Sequence, residues 1–321
     1  MLLTDAAETA RHLPWDRLDE ALRRMFETGC DAPLRHRHAL PQKEAAEGSL
    51  LLMPAWQAHR YTGVKIVHVN PGNARQQGER PALQAVHSVY LLSHGETGQP
   101  LAILDGGTLT DRRTAAASVL AAGFLARPDS RSLLLLGSGK VAQALAEAYA
   151  ARFPLREIRI WSRRPESAAR LARHLAGEGL PAKVAERPDP AGADIVSAAT
   201  LSAAPLLRGA EIAPGTHVDL VGAFRPDMRE SDAALVARAS LFVDTRPGAL
   251  AEAGDVVQAI AEGAIGPEHI AADLFELCRG EHPGRRAVGE ITLFKSVGWA
   301  GEDLAAAILA YEGAAPGTPA P

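Results

Sequence analysis

A glycine-rich turn between an apolar strand and a helix constrains this chain more than any other feature. The four leucines Leu133–Leu136 form a short run that glycine ends, which is typical of a buried strand. Apolar residues then recur at helical spacing from Val141 to Phe153, so this segment is predicted to be a helix packed on a sheet. A strand, a tight turn and a helix in this order open many dinucleotide-binding sheets.

The turn itself has the G-x-G-x-x-A form of the dinucleotide fingerprint. Gly137 permits the tight turn, Gly139 lets a pyrophosphate approach the backbone, and Ala142 keeps the helix close to the strand. The pyrophosphate would lie on free N–H groups at the positive end of the helix dipole. A strand–turn–helix without a ligand is the alternative. The predicted cofactor-binding residues of the turn are Gly137, Ser138, Gly139, Lys140, Val141 and Ala142.

The sequence pattern changes near residue 115. From Pro33 to Asp105, short alternating segments and a hairpin turn predict a mostly antiparallel sheet. An alanine-rich helix, Thr110–Leu125, is expected to lead into a region where strands and helices alternate. Such alternation indicates a parallel, doubly wound sheet. The predicted fold class is therefore α/β with two domains, which 321 residues accommodate.

Composition and charge exclude several classes of partner. A hydrophobic content of 47% supports a sizeable core, and a net charge of −4 favours neither nucleic acid nor an anionic membrane as partner. No apolar run approaches the roughly 20 residues of a membrane span, and the N-terminus lacks a signal-peptide pattern, so a cytoplasmic location is expected. No metal is predicted, because the close pair His36 and His38 has no third ligand nearby in sequence.

The end of the second predicted strand of the alternating region bears on the choice of cofactor. NAD-selective pockets usually carry an acidic residue there that accepts from the ribose 2′-OH. This chain instead has Ser162, Arg163 and Arg164, which suit the 2′-phosphate of NADP. A solvated basic turn is the alternative. Thr200, Val221 and Gly222 lie at later strand ends and are predicted to contact the cofactor; for Thr200, a simple strand-end cap is the alternative.

Basic residues ahead of residue 115 are candidates for binding an anionic substrate. Arg113, beside Arg112, is expected near the start of a helix, as either a carboxylate clamp or part of a solvated turn. Lys65 lies in an apolar strand, where burial would lower its pKa towards the catalytic range. An edge strand with Lys65 facing water is the alternative. Arg37, between two histidines, is a weaker candidate.

Several stretches together resemble the ornithine cyclodeaminase/mu-crystallin family. They follow the family's order, span nearly the whole chain, and are most specific at RTAA and in the final stretch. The stretches are Leu52-Met53-Pro54-Ala55, Gly63-Val64-Lys65, Leu104-Asp105-Gly106, Leu109–Ala116, Gly137–Gln143, Leu220–Glu230, Phe242–Thr245, Glu252–Asp255 and Ile291–Ala307.

The resemblance implies a Rossmann domain, residues 116–290, inserted into a second α+β domain. Residues 1–115 and 291–321 would form this second domain, which binds substrate and makes a homodimer. The arginines of the substrate site would grip an α-carboxylate, and a turn near the C-terminus would return beside the nicotinamide. The residues implied in substrate binding are Lys65, Arg113, Arg37, Met53 and Phe224, and those of the turn are Lys295, Ser296 and Gly298.

Members of this family divide by chemistry. Ornithine cyclodeaminases carry an aspartate, for the terminal amine of the substrate, where Phe224 stands here. Phenylalanine cannot accept a hydrogen bond from ammonium. The surrounding sequence resembles instead the members that reduce Δ1-pyrroline-2-carboxylate or its six-membered homologue to L-proline or L-pipecolate. The predicted activity is reduction of a cyclic ketimine with NADPH, or NADH. Ornithine cyclodeamination, an alanine dehydrogenase-like reaction and a non-catalytic NADPH-dependent binder remain open.

Overall fold

The computed structural model describes residues 1–41, 47–70, 72–73 and 83–314. The strands are β1 (Leu2–Leu3), β2 (His36–Leu40), β3 (Gly48–Gln57), β4 (Tyr61–Val69), β5 (Val86–His94), β6 (Pro100–Asp105), β7 (Ser132–Leu136), β8 (Glu157–Trp161), β9 (Ala182–Val184), β10 (Ile195–Ala198), β11 (His217–Leu220), β12 (Ser240–Val243), β13 (Ile270–Asp273) and β14 (Thr292–Lys295). The helices are α1 (Ala6–Arg11), α2 (Trp15–Thr28), α3 (Gly106–Leu125), α4 (Lys140–Arg152), α5 (Pro165–Gly177), α6 (Ala233–Arg238), α7 (Arg246–Glu252), α8 (Gly254–Ala261), α9 (Leu274–Cys278) and α10 (Ala300–Ala314).

The chain divides into two compact units. The first unit comprises Met1–Arg113 and Trp299–Pro321, and the second comprises Thr114–Gly298. The first unit contains a sheet in the order β1-β6-β5-β4-β3-β2, antiparallel except where β1 runs parallel to β6. Helix α10 packs against α2 and against β3 and β4. This places α10 over the buried face of the sheet.

The second unit contains a parallel sheet in the order β13-β12-β14-β11-β10-β7-β8-β9. Strand β7 precedes the glycine turn and lies between β8 and β10, so the chain direction across the sheet reverses at this point. In doubly wound sheets a ligand binds at this reversal, outside the carboxyl ends of the strands. The predicted fold class, a Rossmann sheet combined with a second α+β unit, is confirmed.

Two boundaries differ from the sequence-based expectation. Residues 291–298, expected in the first domain, lie in the second unit, because β14 hydrogen-bonds between β11 and β12 inside the parallel sheet. Helix α3 begins at Gly106 rather than Thr110, so Arg113 lies two turns inside it and not at its N-terminus. The carboxylate of Asp105, which accepts from the backbone N–H of Thr108 at 2.7 Å, caps this earlier start.

Helix α1 begins at a capping box, in which the Asp5 side chain accepts from the backbone N–H of Glu8. Among the helices in the described ranges, none has both the length and the apolar character that crossing a membrane requires.

Candidate active site

The first unit contains a buried cluster of two basic and two acidic side chains. Lys65 Nζ lies 2.8 Å from Asp303 Oδ1 and 2.7 Å from Oδ2. Arg113 donates from Nε to Asp303 Oδ1 at 2.8 Å and from Nη1 to Glu302 Oε2 at 2.7 Å. Strand β4, helix α3 and helix α10 each supply part of this cluster, so Asp303 joins residues that are far apart in sequence. We call these four side chains the ion cluster.

Burial makes the charges of the ion cluster depend on one another. Lys65 is 2% exposed and Asp303 is fully buried. Removal of Lys65 from water lowers its pKa to about 8, although the nearby Asp303 carboxylate opposes this shift. Burial also works against ionisation of Asp303, but Arg113 and Lys65 outweigh it and hold the pKa of that carboxyl below its ordinary value. Lys65 is therefore a paired ammonium that releases its proton more readily than an exposed lysine does.

The structure decides between the alternatives that the sequence left open for these two basic residues. Lys65 lies on β4 in the interior of the sheet and does not face water, so the edge-strand alternative is wrong. Arg113 is 6% exposed, which excludes the solvated turn. Its guanidinium already holds two carboxylates of its own chain, while Nη2 makes no hydrogen bond within the described residues. Nη2 is thus the nitrogen of Arg113 whose hydrogen-bonding capacity the described residues leave unused.

The side chains beside Lys65 on the same sheet face are also buried. Met53 and Tyr90 are its register partners on β3 and β5, and Met53 is 4% exposed. The Tyr90 hydroxyl is buried and lacks a hydrogen-bond partner in the described part of the chain. A Cβ on Gly63 would lie 2.2 Å from that hydroxyl, so only glycine leaves space for the tyrosine ring. Met53, predicted in the substrate pocket, therefore lies beside the ion cluster.

Arg37 occupies a different environment from Lys65 and Arg113. It lies on the edge strand β2, is exposed, and donates from Nε to Ser49 Oγ at 3.3 Å. Arg35, two residues earlier, lies close enough to Lys65 for its positive charge to contribute to the lowered pKa of that lysine. Sequence reasoning singled out Arg37 and missed Arg35. Arg35 directly precedes β2 and Arg37 is its second residue. The sequence pattern alone gives no reason to prefer one of them as a substrate-binding residue.

In the second unit, the glycine turn has the shape that a pyrophosphate requires. Gly137 has φ +128°, and a Cβ there would lie 2.6 Å from the carbonyl oxygen of Ala199. Helix α4 begins after Gly139 without a side-chain cap, and the space at Gly139 is open. The first N–H groups of α4 are therefore free to bind an anion. Ala142 is fully buried and packs close to Gly137, as the fingerprint predicts.

The end of β8 lies beside the glycine turn. Ser138 and Ser162 are hydrogen-bonded through their hydroxyls at 3.0 Å. Arg163 and Arg164 follow Ser162 and are exposed. Lys140 and Val141, the first two residues of α4, come just after Ser138 in the chain. These residues fit the adenosine half of a dinucleotide, with two cations and no carboxylate at the ribose position.

Two loops at the carboxyl ends of β10 and β11 are joined by one carboxylate. Glu230 is fully buried and accepts from the backbone N–H of Thr200 at 2.6 Å, from its hydroxyl at 2.8 Å and from the N–H of Gly222 at 2.7 Å. Burial raises the pKa of Glu230 to about 7. Val221, just before Gly222, is also buried. The hydroxyl of Thr200 is thus engaged by the protein itself.

The turn after β14 is fixed by a second carboxylate. Asp244 Oδ2 accepts from the N–H groups of Val297 and Gly298 at 2.8 and 2.7 Å. Lys295 is fully buried, donates to the carbonyl oxygen of Leu220 at 3.1 Å, and lies 3.7 Å from Asp255. Ser296 is also buried. Lys295, predicted beside the nicotinamide, therefore points into the interior of the second unit and holds the end of β11.

Two further predictions concern residues that are not fully buried. Phe224 lies on the loop after β11 in the second unit and is 37% exposed. Glu147 on α4, His174 on α5 and Glu178 just after α5 place potential ligand atoms within 4.8 Å of one another. In this group, His174 and Glu178 are exposed. The expectation that no metal is bound stays a prediction.

The fold and the two sets of residues define a class of protein. A Rossmann sheet with an open glycine turn, combined with a unit that buries paired cations, is the organisation of an NAD(P)-dependent oxidoreductase family. The chain belongs to the ornithine cyclodeaminase/mu-crystallin family, whose model matches residues 6–317. The family predicted from the motifs is confirmed.

Relatives of known name include both reductases and dehydrogenases. A Δ1-pyrroline-2-carboxylate reductase of Paracoccus denitrificans is 42% identical over 281 residues, covering 84% of this chain and 87% of the relative. The structure of Thermococcus litoralis Δ1-pyrroline-2-carboxylate reductase with NADH and L-proline has a TM-score of 0.89 and 32% identity, covering 98% and 97% of the two chains. An archaeal alanine dehydrogenase dimer with bound NAD has a TM-score of 0.87 and 29% identity, covering 98% and 96%.

Proposed function

We propose that the protein reduces cyclic ketimine carboxylates, Δ1-pyrroline-2-carboxylate or Δ1-piperideine-2-carboxylate, to L-proline or L-pipecolate. The observation that carries this proposal is the buried ion cluster, which sets a proton-bearing lysine beside an arginine with one free edge. A cyclic ketimine carboxylate needs both an acid for its ring nitrogen and a cation for its carboxylate. Relatives that bear the name of this reductase support the choice.

The chemistry assigns a separate task to each basic residue. A bound reduced nicotinamide supplies a hydride. The ring carbon that bears the carboxylate accepts it, the C=N double bond becomes a single bond, and the nitrogen gains a proton. Lys65 provides that proton, because a pKa near 8 keeps it an ammonium at neutral pH and makes it a stronger acid than an exposed lysine. Arg113 holds the substrate carboxylate through Nη2, with Arg35 as a second cation near Lys65.

The proposed cofactor is NADPH. Ser162, Arg163 and Arg164 follow the end of β8, where the adenosine ribose is expected, and they can donate to a 2′-phosphate but offer no carboxylate to a 2′-OH. Structural relatives were solved with NADH or NAD, so both reduced cofactors belong in the test. In R163A and R164A, the KM for NADPH should rise about tenfold, since a hydrogen bond between charged groups is lost, while the KM for NADH stays unchanged. R173A, on the exposed face of α5, is the matched control.

We also propose that the protein is a homodimer formed by the outer face of the first unit's sheet. This face lies opposite Lys65 and carries the apolar side chains of Leu3, Val64 and Val89. Leu3 is 62% exposed and Val89 is 44% exposed. An apolar sheet face of this kind fits a second copy of itself across a two-fold axis. V89E should yield a monomer by light scattering, whereas V184E, at an exposed valine of β9, should not change the mass.

The activity is tested by following reduced nicotinamide absorbance with Δ1-pyrroline-2-carboxylate. Turnover with the imine, and none with pyruvate plus ammonia or with ornithine, is expected. K65M should lower kcat/KM by at least about a hundredfold, as loss of a general acid does. K183M, at an exposed lysine, should leave it unchanged. Ammonia release from ornithine, or turnover of pyruvate with ammonia but not of the imine, would overturn the proposal in favour of a cyclodeaminase or an alanine dehydrogenase.

A further inference from the structure

Glu230 joins two loops that belong to the dinucleotide site but come from different strands. Its Oε1 accepts from the N–H and hydroxyl of Thr200, which follows β10, and its Oε2 accepts from the N–H of Gly222, which follows β11. All three distances lie between 2.6 and 2.8 Å. A single carboxylate therefore sets the separation of the two loops.

The backbone of Glu230 is itself held from two sides. Its N–H donates to Asp255 Oδ1 at 2.8 Å, and its carbonyl oxygen accepts from the N–H groups of Leu206 and Leu207 at 2.8 and 3.0 Å. The side chain is fully buried. Glu230 thus extends from a fixed backbone and cannot follow the two loops if they move.

The loops are packed so closely that no side chain fits between them. A Cβ on Gly222 would lie 1.8 Å from the Thr200 carbonyl oxygen and 2.6 Å from Glu230 Oε1. Ala199, the residue before Thr200, lies against the glycine turn. A Cβ on Gly137 would lie 2.6 Å from the carbonyl oxygen of Ala199. The loop after β10 therefore packs closely against the glycine turn on one side and against the loop after β11 on the other.

The strand order says which half of a dinucleotide these loops would meet. A bound dinucleotide would place its pyrophosphate at the turn after β7 and its adenosine over the neighbouring strand β8, whose end carries the residues predicted to contact the ribose. Its nicotinamide half would then extend to the other side of the reversal point, over β10 and β11. Thr200 and Gly222 stand at the ends of those two strands.

We propose that Glu230 is a positioning residue that sets the two loops beneath the nicotinamide half of the cofactor. This inference rests on the proposed function, because it assumes that the second unit binds NADPH or NADH. Glu230 does not touch the cofactor; it acts through the backbone of Thr200 and Gly222. A carboxylate is needed because all of its partners here are donors. The amide of glutamine would turn an NH₂ group towards one of these N–H groups, and the two loops would separate.

The experiment compares two ligands in the full-length protein. NADPH spans both halves of the site, whereas 2′-phospho-ADP lacks the nicotinamide riboside and reaches only the adenosine half. In E230Q, the Kd for NADPH should rise at least about tenfold, while the Kd for 2′-phospho-ADP stays within about twofold. A residue that merely stabilised the fold would not separate the two ligands. E262Q removes a carboxylate that pairs with the neighbouring Arg229 and should change neither Kd.

E230D is the second variant, because it keeps the charge but is one methylene too short to reach both loops. It should show the same selective loss for NADPH, and it decides the question if E230Q does not fold. Equal weakening of both ligands, or no change in either, would overturn the proposal. If the wild-type protein binds neither NADPH nor NADH, the proposed function fails and not only the role of Glu230.

Discussion

The two units bury charged side chains in contrasting ways. In the ion cluster of the first unit, the charges satisfy one another, with two cations on two carboxylates. In the second unit, Glu230 and Asp244 are satisfied mostly by backbone N–H groups of loops. A side-chain pair leaves its cations able to act on a substrate, whereas a carboxylate that accepts from the backbone fixes the path of the chain. The first arrangement suits a reaction site, and the second suits a binding site whose loops must keep one conformation.

The largest effect is expected from breaking the ion cluster at its shared carboxylate. D303N leaves Lys65 and Arg113 buried without their common counter-charge, and loss of one partner of a buried pair typically costs about 3–5 kcal/mol. Urea unfolding should therefore show a fall of that size in the free energy of unfolding. D227N removes the carboxylate of an exposed pair with Arg225 and should change stability by less than about 1 kcal/mol. Similar values for the two variants would contradict the description of a buried cluster.

The pH dependence of the reaction tests whether Lys65 carries the proton. The reaction needs its ammonium form, and burial lowers the pKa of that group to about 8. Above that pH, kcat/KM should fall about tenfold per pH unit. Below that pH, the titration of Lys65 should cause no change in kcat/KM. In K65M the falling limb should disappear from the residual activity. If the falling limb is unchanged in K65M, it reports the titration of another group.

A smaller effect is expected when a carboxylate that accepts from the backbone is neutralised. D244N keeps one acceptor oxygen but offers an NH₂ group in place of the other, against the N–H groups of Val297 and Gly298. The expected loss is about 1–3 kcal/mol, since backbone donors become unpaired while the buried Lys295 keeps the Leu220 carbonyl oxygen and the neighbouring Asp255. The free energy of unfolding measures it. A loss as large as that of D303N would remove the contrast between the two units.

The effect that is smallest at neutral pH concerns a buried neutral group in the second unit. Burial lowers the pKa of the His217 imidazolium to about 3, from an ordinary value of 6.5. Between these values the unfolded chain binds more protons, so stability is lost as pH falls below about 6.5, by up to about 1.4 kcal/mol per pH unit. Asp219, whose pKa burial raises to about 6, acts in the opposite direction over part of this range. The slope should therefore be compared between wild type and H217Q, which retains Asp219.

Much of the second unit could be predicted from short stretches of sequence. The strand, turn and helix around Gly137 follow from local periodicity and from a backbone conformation that glycine adopts without strain. Strand β14 was missed because its four residues lead directly into the final segment, and only pairing with β11 and β12 makes them a strand of this sheet. Short apolar runs do not specify their partners.

The sequence by itself determined that Lys65 is a buried or edge lysine of functional interest, since an apolar strand makes a charge costly. Only the tertiary structure supplied its partner, because Asp303 lies 238 residues away on the final helix. Two adjacent acidic residues, Glu302 and Asp303, ahead of an apolar run in the final helix were the available signal. Local patterns report the environment that a residue needs. Which distant side chain provides it depends on how strand and helix pack, and that is settled only when the whole chain folds.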